Sequence, residues 1–378
     1  MSLHDEPAPQ ELLEEYVDNR PTGVESEEQD AGVTHDPWDP EAIRIHTKTF
    51  SLHQVVEMID DGDIDLAPDF QRQYVWKDAQ RWGLIESLLL GIPLPSFYFN
   101  EDETGRFQVV DGVQRLTTIH RFFKGQFALG KLAYLDLEGS RYEELDAVSR
   151  RRLKLTQFVI HVIDPQTPYR VKFDVFKRIN TGGSPLSAQE IRHCMSRERS
   201  RSFLAELVAL PEFQAAMGKS VLNHPRMADR EIALRLVAFH IIPVEQYRSH
   251  DSLDAFLGRV TELIDKLDDS RLSELKQLAV QALRNAEKVF GEFAFRKWSL
   301  GFERKNPINR ALVESWGTAL ATRELVSEEA AYALSGRDRA LMTHDAGYLD
   351  SITGGTGDPN KVETRMRKAE ELVQEVIG

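Results

Sequence analysis

Phe107-Gln108-Val109-Val110-Asp111-Gly112-Val113-Gln114-Arg115-Leu116-Thr117-Thr118 reads as a strand, a sharp corner and a helix. The β-rich run from Phe107 to Val110 stops at Asp111-Gly112. A helix with Leu116, Ile119 and Phe123 at helical spacing follows and stops at Gly125. Gly112 lets the backbone turn sharply. The first helical turn leaves backbone amides unbonded, with Gln114 and Arg115 beside them, and such amides together with a guanidinium suit a phosphate. The spacing leaves a plainer reading open. In it Arg115 pairs with Asp111 or Glu190, and Asp111 caps the helix.

Working outward, Asp102-Glu103-Thr104-Gly105 predicts a turn that joins this strand to Phe97-Tyr98-Phe99 as a hairpin. Ile92-Pro93-Leu94-Pro95 cannot be helical and feeds that strand. Upstream, Ser51-Leu52-His53-Gln54 is a capping-box pattern opening a helix that Gly62 stops, and a second helix is expected over 78–90. Pro68 to Trp76 is an aromatic loop carrying Arg72 and Tyr74. Downstream come the basic helix end Arg150-Arg151-Arg152-Leu153-Lys154, a strand over 156–163, and a helix over 169–179 ending at Asn180-Thr181-Gly182-Gly183. A second capping box, Ser187 with Glu190, follows. From Ser202 onward strand signals nearly vanish, and helical patterns fall around 202–217, 228–241, 252–266, 271–295, 307–323 and 361–376. The expected class is α+β: a mixed domain over 44–200, then an all-helical domain over 201–378.

The net charge of −14 is uneven. Residues 1–43 hold 13 Asp/Glu against one Arg20, which is −12, so the remaining 335 residues carry about −2. This stretch reads as an acidic disordered tail with at most a short helix around 11–17. A sharper version has it cover a basic groove and compete with nucleic acid. No run of 18 apolar residues predicts a membrane span, and no signal segment opens the chain. The single Cys194 excludes an internal disulfide and a cysteine-based metal cluster, which fits a reducing cytoplasm.

Four blocks carry a family resemblance: Gln71-Arg72-Gln73-Tyr74-Val75-Trp76, Ile92-Pro93-Leu94-Pro95, Asp111-Gly112-Val113-Gln114-Arg115-Leu116-Thr117, and Arg178-Ile179-Asn180-Thr181-Gly182-Gly183-Ser184-Pro185-Leu186-Ser187-Ala188-Gln189-Glu190. In this order they resemble the ParB/sulfiredoxin-like domain at the N-terminus of GmrSD-type modification-dependent restriction enzymes and related phage-defence proteins. The resemblance implies nucleoside triphosphate binding and hydrolysis at the Asp-Gly corner, coupled to sensing foreign DNA. The HNH nuclease domain of those enzymes is not found, because His224, His240, His250 and His344 are scattered. A stand-alone sensor is therefore expected.

On this reading Asp111, Gln114 and Arg115 are the catalytic candidates, and Asp111 also holds Mg²⁺. Arg72, Tyr74, Gly112, Arg115, Thr117, Asn180, Thr181 and Gly182 would surround the nucleotide. Arg150, Arg151, Arg152 and Lys154 would meet a nucleic-acid backbone, unless they are simply a solvated helix face. Arg197, Arg199 and Arg201 form a second basic cluster. Val113 departs from the family, which has Gln there. It supplies neither the Cys of sulfiredoxin-type repair nor the Glu of ParB-type hydrolases. Two competing functions are a metal-dependent ParB-like nuclease and a non-catalytic DNA- or partner-binding module. Partners compatible with the leading reading are nucleotide, DNA, a second copy of the chain or a separate nuclease.

Overall fold

The computed structural model describes residues 14–17, 20–27, 43–66, 76–179, 186–222, 224, 226–298, 305–324 and 326–378. The chain divides into two units: residues 36–195, and residues 1–35 with 196–378.

The first described elements form a β-hairpin. Strands β1 (Glu14–Val17) and β2 (Arg20–Glu25) pair antiparallel. Over residues 14–17 and 20–25 strand thus stands where a disordered tail with a short helix around 11–17 is expected. The physical reason lies far along the chain. Val24 is fully buried in the core of the helical unit, and the Glu25 amide donates to the Ile308 carbonyl at 2.8 Å. Glu25 Oε1 accepts from Lys297 Nζ at 2.6 Å, Glu15 accepts from Arg310 Nη2 at 3.1 Å, and Glu27 accepts from both terminal nitrogens of Arg235. The acidic residues are therefore counter-charges for buried bases. Burial alone would push Glu27 up, but Arg235 and Arg310 outweigh it and hold the carboxyl below its ordinary value.

The mixed unit follows. It contains β3 (Ile45–Ser51), α1 (Leu52–Asp60), β4 (Ile64–Asp65), α2 (Asp78–Leu90), β5 (Phe97–Glu101), β6 (Phe107–Asp111) and α3 (Val113–Phe123). Next come α4 (Ala147–Leu155), β7 (Gln157–Ile163), α5 (Tyr169–Ile179) and α6 (Ala188–Met195). Among the described residues five strands form one sheet in the order β3-β7-β5-β6-β4, with β5–β7 and β4–β6 parallel and the other pairs antiparallel. Alternation sorts the strand side chains. Phe97, Phe99, Val109, Phe158, Ile160 and Val162 pack with apolar residues of α1 to α4. Val110 and Ile163 pack instead with Phe173, Phe176, Ile191 and Cys194 of α5 and α6. Both capping boxes form: the Gln54 amide donates to Ser51 Oγ, and the Glu190 amide to Ser187 Oγ.

The second unit is helical apart from the hairpin. Its helices are α7 (Glu198–Ala209), α8 (Pro211–Met217), α9 (Ala228–Ile241), α10 (Leu253–Ile264), α11 (Asp269–Phe290), α12 (Arg310–Ala321), α13 (Glu328–His344), α14 (Ala346–Ser351) and α15 (Pro359–Ile377). Helices α9 and α12 are buried along most of their length. In the second basic cluster Arg199 pairs with Asp269 and Arg201 with Glu198, and the backbone amide of Arg197 donates to Asp265.

Candidate nucleotide corner

The corner is built by one residue without a side chain. Gly112 is the N-cap of α3 with φ +100°, and a Cβ placed on it would lie 2.3 Å from Phe97 Cδ1. Glycine is therefore required both by the backbone and by the neighbouring ring. The Gly112 carbonyl accepts the first helical bond, from the Leu116 amide at 2.9 Å. The amides of Val113, Gln114 and Arg115 precede that bond and are the unbonded donors every helix start presents.

Asp111 does not cap the helix. Its Oδ2 accepts from Arg115 Nη2 at 2.8 Å. Arg115 also donates from Nη1 to the Pro95 carbonyl at 2.5 Å and from Nη2 to the Ser96 carbonyl at 3.3 Å, and its guanidinium lies 4.3 Å from the Phe97 ring centre. The side chain is only 13% exposed. Burial lowers the Arg115 pKa, opposed by the Asp111 charge. The guanidinium fork that the sequence assigns to phosphate thus clamps the Ile-Pro-Leu-Pro segment onto the corner. Nothing in the sequence marks Pro95 and Ser96 as its partners. Gln114 Oε1 is buried without a hydrogen-bond partner among the described residues. Thr117 is half-buried one turn on, and its neighbour Thr118 bonds back to the Gln114 carbonyl.

Sequence reasoning misses a polar row that ends at Asp111. The register shift between Tyr98 and Phe99 sets Asp111 opposite Tyr98, whereas Val109 stands opposite Phe99. Bulges commonly re-aim a side chain in this way. Tyr98 stands beside His161, with ring centres 4.9 Å apart, and His161 Nδ1 lies 3.0 Å from Thr47 Oγ1. Thr47, His161, Tyr98 and Asp111 thus occupy consecutive strands in register. The signal available beforehand is one polar residue, His161, inside the otherwise apolar run from Phe158 to Ile163.

Arg72, Tyr74, Asn180, Thr181 and Gly182 lie outside the described residues. Of the basic run on α4, Arg152 turns away and donates to the Leu89 carbonyl at 2.8 Å, while Arg150, Arg151 and Lys154 line a surface cavity. Cys194 is buried in the core between the sheet and α5–α6. His120 bonds Asp60 at 3.0 Å.

As for a metal, Asp111 is the carboxylate at the corner, with one oxygen held by Arg115. Among the described residues no group of three His, Cys, Asp or Glu side chains is placed to share an ion. No described helix is long and apolar enough to cross a membrane.

Residues 52–195 match the family described as the GmrSD restriction endonuclease N-terminal domain. No curated protein and no solved structure matches the chain. The matched segment runs from the first residue of α1 to the last of α6 and contains the whole Asp111–Arg115 corner. Residues 52–195 of this chain belong to the GmrSD N-terminal domain family, a restriction-enzyme-related domain.

Proposed function

We propose that this chain is a nucleotide-dependent sensor in defence against foreign DNA, with a nucleoside triphosphate and Mg²⁺ bound at the Asp111–Arg115 corner. The observation that supports the reading is the corner itself. A left-handed glycine opens a helix whose first three amides have no helical partner, beside a carboxylate fixed by Arg115. The amides would take phosphate oxygens, and the Asp111 oxygen not held by Arg115 would take the cation. Gln114 Oε1 needs a donor, which a ribose hydroxyl or an attacking water supplies. Arg115 acts as a positioning residue, because three of its N–H groups are committed to Pro95, Ser96 and Asp111. Any phosphoryl chemistry would rest on charge stabilisation and placement.

Val113 favours binding without turnover as the second reading. It packs partly buried against the core under the sheet, where the family's Gln would present an amide. Calorimetric titration with the four ribonucleoside triphosphates and Mg²⁺ tests both. We expect one to bind and Asp111→Asn to weaken its Mg²⁺-dependent binding at least about tenfold, the scale of a lost charge-assisted contact. Release of inorganic phosphate separates hydrolysis from binding alone. A wild type that binds none of the four refutes the reading.

A further inference from the structure

On the surface of the mixed unit, Ser51 and His53 at the start of α1, Tyr142, and Arg150, Arg151 and Lys154 of α4 line a cavity of about 480 Å³. Residues 150, 151 and 154 lie along one side of α4, and Leu153, fully buried, anchors the helix on another. None of these three cations makes an ion pair or side-chain hydrogen bond among the described residues. That is unusual in a chain of net charge −14, where most described arginines are matched.

The second observation is independent of charge. Tyr142 is only 9% exposed, and its ring stacks on Phe123 at 4.3 Å and meets Phe122 edge-on. Its hydroxyl is buried with no hydrogen-bond partner among the described residues. An orphaned hydroxyl costs free energy that a solvated one does not; it is sealed from water in this conformation, and a small shift of the ring that lets it reach an acceptor in the cavity would remove that cost. The acceptor that suits three cations and one O–H donor is a phosphate oxygen. His53, whose Nε2 lies 3.3 Å from Glu57, completes the rim.

We propose that this cavity is a phosphate-binding site separate from the Asp111 corner, in which Arg150, Arg151 and Lys154 neutralise the anion and the Tyr142 hydroxyl donates to one of its oxygens. The phosphate belongs either to a nucleic-acid backbone or to a small free anion, and the two arms of the test distinguish them.

The first probe is a fluorescein-labelled DNA duplex followed by anisotropy across salt concentration; the second is inorganic pyrophosphate followed by calorimetry. For a backbone phosphate, Arg150→Ala/Arg151→Ala/Lys154→Ala lowers the salt slope of duplex binding by about 2.7, from three contacts at about 0.9 each. Between about 50 and 200 mM salt this removes about a 40-fold dependence. Tyr142→Phe keeps the ring stack and weakens binding about tenfold at fixed salt, the scale of a hydrogen bond to a charged group. For a free anion, the same variants lose pyrophosphate binding while duplex binding is unmoved. A wild type that binds neither probe, or variants that bind both probes as the wild type does, overturns the assignment.

Discussion

Replacing Gly112 with alanine loads two distinct penalties onto one atom. The first is conformational: a non-glycine residue at φ +100° costs about 1–3 kcal/mol. The second is steric. The new Cβ would sit 2.3 and 2.8 Å from two ring carbons of Phe97 and 3.2 Å from Arg115 Nη2. Phe97 is buried and packs against Phe158 with ring centres 4.9 Å apart, so its ring has little room to retreat. Overpacking of this kind costs about 1–3 kcal/mol. Together they predict a loss of about 2–6 kcal/mol, reduced by under about 1 kcal/mol through the lower entropy of the unfolded chain.

Gly105→Ala separates the two contributions. Gly105 has φ +83°, and a Cβ added there would meet nothing within 4 Å, so it carries the backbone penalty without the clash. The difference between the variants should therefore be about 1–3 kcal/mol. Because the chain has two units, a single unfolding curve would mix them. Hydrogen exchange of peptides covering β5, β6 and α3 reads the relevant opening free energy directly. Phe97→Leu in the Gly112→Ala background should recover part of the loss, as contacting residues couple. If the two glycine variants destabilise these peptides equally within about 0.5 kcal/mol, the Phe97 contact does not shape the corner and the reasoning fails.

Glu25→Ala strips the buried Lys297 ammonium of its carboxylate and should cost the helical unit about 3–5 kcal/mol, whereas Glu25→Gln with Lys297→Met should cost far less; hydrogen exchange of peptides from α9 and α12 decides. Burial raises Asp338 to about 7 despite its bonds to Trp298, Trp316 and Tyr348. Since the folded value exceeds the unfolded one, its contribution to stability is full below about pH 4 and is lost as pH rises through about 7; urea unfolding across that window should show the trend, and Asp338→Asn should abolish it. Without added phosphate, Tyr142→Phe should be neutral or stabilise by about 1 kcal/mol in denaturant unfolding, because it removes an unsatisfied hydroxyl; a loss above that would mean the hydroxyl is already partnered.

The parts of this molecule that are legible from sequence are those encoded over short spans. The corner, the hairpin behind it, both capping boxes and the helices over 78–90 and 169–179 depend on neighbours within a few residues, and their periodicity is clear. Strand β3 escapes such a reading because Ile-His-Thr-Lys-Thr-Phe-Ser at a sheet edge carries little apolar alternation. Helix α13 escapes it because it buries few residues, Asp338 among them. Arg115 stands out in the sequence but its neighbours do not, since the Pro95 and Ser96 carbonyls reach it through the tertiary fold. The acidic N-terminal stretch looks like a solvated tail because its bases stand more than 200 residues away, and charge composition carries no information about such pairing.

That distance has a consequence during synthesis. Glu25 leaves the ribosome 284 residues before Asn309, from whose side-chain amide it accepts, and at about 5–20 residues per second the interval is roughly 15–60 s. The intervening mixed unit has time to fold as an insertion within a still incomplete neighbour. The earliest segment made is thus among the last to find its place: a stalled ribosome would leave Glu15, Glu25 and Glu27 without their cations, and an N-terminal truncation would leave Arg235, Lys297 and Arg310 short of counter-charge.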